Sequence, residues 1–156
     1  MINTPSGDNW LDARNFACPH CQEPLYSVIR SPMYDEWQLY CDRCPHRVEI
    51  SFTDPVAREV ADALGVQPLP GGAFAISHLR AMETRLKACS CGGRFRHDAP
   101  RRCHVCHNVV LADAIDTDLW PGVYGIDAEE RDLTDEEMAF AAQFETTHVH
   151  RADIWL

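Results

Sequence analysis

The eight cysteines of this chain fall into four close pairs: Cys18-Pro19-His20-Cys21, Cys41-Asp42-Arg43-Cys44, Cys89-Ser90-Cys91 and Cys103-His104-Val105-Cys106. Two thiolates on one turn of backbone can both reach a single ion at about 2.3 Å, and two such pairs complete a tetrahedral shell. Disulfide frameworks usually disperse their cysteines, whereas here each has a partner two or three positions away. The spacing therefore points to thiolate-bound zinc and to a reducing, cytoplasmic setting. Taken in chain order, Cys18, Cys21, Cys41 and Cys44 are expected to hold one structural zinc. Cys89, Cys91, Cys103 and Cys106 are expected to hold the other. The alternative, in which each metal takes pairs from both segments, would need the stretch 54–88 to cross between them.

Other chemistries are poorly served. A catalytic zinc needs an open coordination position, and two filled four-cysteine shells offer none. The His-x-Glu element of the zinc deaminases is absent from the chain. Cys18–Cys21 and Cys103–Cys106 lack the βαβ context of a redox pair. Asp116 with Asp118, and Glu129 with Glu130, read as acidic surface. His20, His46, His104 and His107 flank the cysteine turns, while His148 and His150 share one face of a strand pattern. With four cysteines already filling each shell, these histidines are expected to pack or to face solvent. The sequence leans away from an enzyme.

The elements that would position the cysteines can be read in order. Residues 1–15 form an arm around Trp10. Leu25–Arg30 and Trp37–Tyr40 are β-prone runs flanking a turn at 31–36. Arg47–Phe52 alternates, with Val48, Ile50 and Phe52 inward. Asp54-Pro55 opens a helix with an Asp cap and proline at the first position, and Gly65 closes it. Val56, Val60, Ala61 and Leu64 form its apolar face. A second helix, about 77–87, presents Leu79, Met82 and Leu86. Arg94–Arg96 and Asn108–Ala112 are short strands on either side of the fourth cysteine pair, and 116–127 reads as loop. Thr134 and Glu137 form a capping box for the last helix, with Met138, Phe140, Ala141 and Phe144 as apolar candidates. The fold class is α+β. Its expected segments are 1–53 (arm and first zinc unit), 54–88 (helical linker), 89–115 (second zinc unit) and 116–156 (acidic loop and C-terminal helix). They are expected to pack as one assembly, because each alone has too little core.

Residues 16–52 and 89–112, with their paired cysteines and intervening short strands, each resemble a zinc ribbon. That resemblance implies metal-supported folding. It does not choose a function, since ribbons serve transcription, translation and pure adaptors.

Charge narrows the classes further. The formal net charge is −10, and residues 113–156 hold 12 acidic side chains against 2 basic ones. Such a field repels nucleic acid and anionic membrane and attracts a basic protein. The candidate contact residues are Glu129, Glu130, Asp132, Asp135, Glu136 and Glu137, with Trp120 and Tyr124 for apolar contact. In small size, acidity and lack of catalytic residues the chain resembles immunity or antitoxin-type proteins, which mask a basic toxin. The alternative is nucleic-acid binding through Arg94, Arg96, Arg101 and Arg102 on the second ribbon. No run of 18 apolar residues is present, and the N-terminus has neither the basic nor the apolar part of a secretory signal.

Overall fold

The computed structural model describes residues 13–29, 36–66, 76–112, 117–122 and 132–156. Nine strands and three helices are placed among them. The strands are β1 (Ala13–Ala17), β2 (Pro24–Ile29), β3 (Glu36–Cys41), β4 (Arg47–Ser51), β5 (Phe95–Arg96), β6 (Arg101–Arg102), β7 (Val109–Leu111), β8 (Thr117–Pro121) and β9 (Val149–His150). The helices are α1 (Pro55–Leu64), α2 (Ile76–Glu83) and α3 (Asp135–His148). The chain is mixed α+β, as its patterning implies, with small sheets, short helices and two four-cysteine clusters.

The sheets explain how the cysteine pairs meet. β2 does not form a hairpin with β3; it lies between β1 and β8 in an antiparallel sheet of order β1-β2-β8. β3 instead pairs with β4 across the Cys41–His46 turn, Tyr40 opposite Arg47, and on its other side with β5, Cys41 opposite Phe95. The second sheet has the order β5-β3-β4-β9, with β9 parallel to β4. Reading 116–127 as loop is thus corrected at Thr117–Pro121. Leu119 of β8 enters the core beside Leu25, while Asp118 and Trp120 point the other way toward Tyr40 and Arg47. That period-two split is a strand signal, muted by the short run and its terminal proline.

Both predicted α1 caps are present. Asp54 accepts from the Val56 and Ala57 N–H groups, and Gly65 is left-handed at φ 68°. α1 buries Ala57, Val60 and Ala61, while Leu64 stays exposed. α2 stops at Glu83, short of the expected Lys87. There the chain leaves the helix to bridge the C-terminal tail, Leu86 opposite Trp155, with Lys87 N–H donating to Ile154 O at 2.8 Å. Both helices cover the second sheet and share a core with Leu39, Val48, Ile50, Met82, Leu86, Phe95 and Ile154. Removing side chains of this kind from water stabilises by about 1.5–3 kcal/mol each. A smaller core surrounds Cys18, Leu25, Cys103 and Leu119.

The opposite face of the second sheet is polar yet buried. Gln38 faces Glu49, and Tyr40 faces Arg47. Tyr40 donates to Asp118 at 2.8 Å, Arg47 lies 4.4 Å from the Trp120 ring centre, and Phe144 of α3 closes over them. The alternation of β4 marks Arg47 and Glu49 as a solvent face. The structure instead buries them under β8 and α3.

Candidate metal centres

The two clusters pair the cysteines differently from their order in the chain. Cys18 and Cys21 meet Cys103 and Cys106; Cys41 and Cys44 meet Cys89 and Cys91. The ligand sets are therefore nested, the outer pairs together and the inner pairs together. This corrects the expected grouping of Cys18, Cys21, Cys41 and Cys44 on one ion and of Cys89, Cys91, Cys103 and Cys106 on the other. Strand pairing is the cause. β5 follows Cys91 closely and joins β3 at Cys41, while α1 and α2 return the chain to the Cys44 side. The second half of the chain then places Cys103 and Cys106 beside β2.

The geometry fits a tetrahedral thiolate shell. Across each cluster, Sγ–Sγ separations are 3.6 Å for Cys18–Cys106 and Cys21–Cys103, and 3.5 Å for Cys41–Cys91 and Cys44–Cys89. A disulfide would require about 2.05 Å, whereas the edge of a tetrahedron with 2.3 Å metal–sulfur bonds is about 3.8 Å. Backbone N–H groups two residues on point at four of the sulfurs: His20 to Cys18, Arg43 to Cys41, Gly93 to Cys91 and Val105 to Cys103, at 3.3–3.4 Å. Such donors stabilise sulfur carrying negative charge.

The outer centre is built from two copies of one turn. In each, the first cysteine N–H donates to the carbonyl five residues on, Glu23 or Asn108. The N–H four residues on, of Gln22 or His107, returns to the cysteine carbonyl. Gln22 and His107 both have positive φ. At the inner centre Cys41 N–H likewise donates to His46 O, but the partner turn is tighter, with Cys89 N–H bonded to Gly93 O. Burial pushes the Cys41 thiol up to about 11 and the Cys103 thiol up to about 12. Metal uptake must displace those protons, which couples binding to pH. The eight cysteines could hold two metal ions and are compatible with two zinc sites.

No histidine joins either four-cysteine cluster among the described residues. His46 hydrogen-bonds His150 at 2.8 Å, and His148 stacks on Phe144. Glu83, His97 and Asp98 form a third group with ligand atoms within 4.8 Å of one another. There, Glu83 already accepts from the His97 backbone N–H at 2.6 Å and also pairs with the His97 ring. Those two residues lie 14 positions apart, and nothing in their spacing marks them.

Asp132, Asp135 and Glu136 are exposed at the start of α3, and Glu137 is half-buried in the capping box with Thr134. Trp120 is half-buried against Arg47 and Phe144. Tyr124, Glu129 and Glu130 lie outside the described residues, as do the turn at 31–35 and Trp10. Of the arginines proposed for nucleic acid, Arg101 is only 1% exposed. It donates to Thr117 O and Ala99 O and lies 3.7 Å from the Tyr40 ring centre. Arg102 donates to His107 O and Asp42 O, and Arg96 pairs with Asp42 at 3.4 Å. Arg94 and Arg96 remain exposed.

No helix among the described residues is long and apolar enough to cross a membrane. A family model described as a domain of unknown function, DUF8255, matches residues 14–112. That span holds all eight cysteines and more than half of the chain, and the chain belongs to this family. No curated protein and no solved structure matches it.

Proposed function

We propose that this DUF8255 protein is a noncatalytic zinc-binding protein whose acidic C-terminal surface binds a basic partner protein, as an adaptor or as an inhibitor of the immunity or antitoxin type. The zinc ions would be structural. Each set of four cysteines fills a tetrahedral shell, and the thiolates join segments that contribute little core of their own. The observation that carries the partner reading is the charge of residues 113–156, 12 acidic against 2 basic. At the start of α3 it lies exposed on Asp132, Asp135 and Glu136, beside a Met138 that is 55% exposed. Acidic side chains ringing an exposed apolar one suit a basic, partly apolar surface. Against the nucleic-acid alternative stands the internal engagement of Arg101 and Arg102.

The test is retention of proteins from source-organism lysate by the tagged, zinc-loaded chain, with and without nuclease. It is followed by association kinetics with the retained protein for a variant carrying Asp132→Asn, Asp135→Asn and Glu136→Gln. A basic protein retained after nuclease treatment, associating more slowly and with a flatter salt dependence in the variant, is the expected result. Retention abolished by nuclease, or kinetics unchanged by the three substitutions, would overturn the reading.

A further inference from the structure

The two metal centres differ in how far solvent reaches their cysteines. Of the eight cysteines, all among the described residues, Cys91 alone is exposed. Its three companions in the inner centre are sealed: Cys41 is 0% exposed, Cys44 5% and Cys89 6%. In the outer centre Cys18 and Cys103 are equally sealed, while Cys21 and Cys106 are half-buried. A small oxidant arriving at the inner shell therefore meets one cysteine first. Its sulfur lies 3.5 Å from Cys41 Sγ on the facing turn, and a disulfide between them needs an approach of about 1.5 Å, to about 2.05 Å. Gly92 and Gly93, which follow Cys91, put no side chain between the two turns; a Cβ on Gly93 would stand 2.5 Å from Cys41 Sγ. The exposed Arg43 adds a cation, its Nη1 3.7 Å from where a Cβ on Gly92 would stand. An accessible thiolate in an electropositive setting, beside a second cysteine, is the arrangement of cysteines that respond to oxidants.

We propose that the inner centre is an oxidation site: a hydroperoxide oxidises Cys91, Cys41 resolves it to a disulfide, and the opened shell gives up its ion. The proposal rests on the zinc reading above and is independent of the partner. In the first step the Cys91 thiolate attacks one peroxide oxygen. The O–O bond breaks, hydroxide or alkoxide leaves, and the sulfur, oxidised by two electrons, becomes a sulfenic acid. The Cys41 thiolate then attacks that sulfur; the S–S bond forms, the S–O bond breaks and hydroxide leaves. Cys44 and Cys89 alone do not complete a tetrahedral shell. The Cys41–Cys91 disulfide joins the same two turns that the four thiolates join, so the pairing of β3 with β5 at Cys41 and Phe95 is kept and a thiol reductant can reverse the change. The outer centre, with no fully exposed cysteine, responds later.

The test titrates hydrogen peroxide into the zinc-loaded full chain while a chromophoric chelator reads released zinc. A 1,3-dione that caps sulfenic acids, followed by non-reducing peptide mass mapping, identifies the sulfur attacked and the disulfide formed. The expected result is early release of one of the two zinc ions, dione label on Cys91 and a Cys41–Cys91 disulfide, with the outer cysteines still reduced. Dithiothreitol with added zinc should then restore both ions. Cys91→His keeps a fourth zinc ligand without an oxidisable sulfur, and should bind both ions and lose the early phase of release. If that variant fails to fold, the label and disulfide map of the wild-type chain decides the matter. Simultaneous loss of both ions, label on Cys21 or Cys106, or a first disulfide other than Cys41–Cys91 would overturn the proposal. Two zinc ions retained through excess peroxide would overturn it and leave the zinc reading standing, whereas a chain that binds no zinc would overturn both.

Discussion

Replacing Gly93 by alanine tests the nested pairing through a single methyl group. A Cβ built on Gly93 would lie 2.5 Å from Cys41 Sγ, 2.8 Å from Asp42 Oδ1 and 3.1 Å from Arg43 Cβ. The first of these atoms belongs to the inner four-cysteine cluster, and a zinc ion bound there would hold it within a few tenths of an ångström of its place. The methyl must therefore displace the turn carrying Cys91 or the turn carrying Cys41. Gly93 does not have a left-handed φ, so the effect comes from contact and not from backbone strain. Overpacking of this kind costs about 1–3 kcal/mol, which is about 5–150-fold in an equilibrium constant. In a competition titration with a chromophoric chelator, one of the two zinc ions of Gly93→Ala should weaken by that factor. Amide shifts should cluster around Cys44 and Cys89, with the turns at Cys18 and Cys103 unmoved. Wild-type affinity for both ions, or disturbance centred on Cys103 and Cys106, would refute the reasoning, because grouping the cysteines in chain order gives Gly93 no reason to touch Cys41.

Cys18→Ala should abolish one zinc and loosen both the Cys18–Cys21 and Cys103–Cys106 turns, seen as lost amide-exchange protection in each, while protection near Cys44 persists. Thr134→Ala removes the capping box of α3 and should cost about 1 kcal/mol, or about 2–4 °C in Tm for a domain of this size, with zinc content unchanged. His148 is pushed down to about 4, first by burial and then by His46 and His104. The unfolded chain therefore binds a proton that the native state refuses, and stability should fall as pH drops from about 6.5 toward 4. Urea midpoints of His148→Phe should show a shallower decline than wild type over that window; identical slopes would contradict the burial argument.

The local elements were legible because each carries its signal within a few residues: Asp54-Pro55 and Gly65 at the ends of α1, Thr134 with Glu137 at the start of α3, and the alternation of Val48 and Ile50. The metal-binding character was legible for the same reason, since each cysteine pair is a local turn. Which pairs share an ion was not, because it depends on β2 choosing β8 over β3, a pairing between strands about ninety residues apart. β8 itself hides behind Pro121 and the polar Thr117 and Asp118. The burial of Arg47, Glu49 and Arg101 was equally unreadable. An arginine in an alternating strand gives no local sign of whether water or another sheet will cover it. Here Tyr40, Asp118 and Trp120 arrive from elsewhere in the chain to do so.

The central claim is the identity of the four sulfurs around each ion. Substituting the zinc with spin-active cadmium and correlating each cadmium resonance with cysteine Hβ protons reads it directly. Two resonances are expected, one coupled to Cys18, Cys21, Cys103 and Cys106 and the other to Cys41, Cys44, Cys89 and Cys91. A resonance that couples Cys18 and Cys21 to Cys41 and Cys44 would contradict the account.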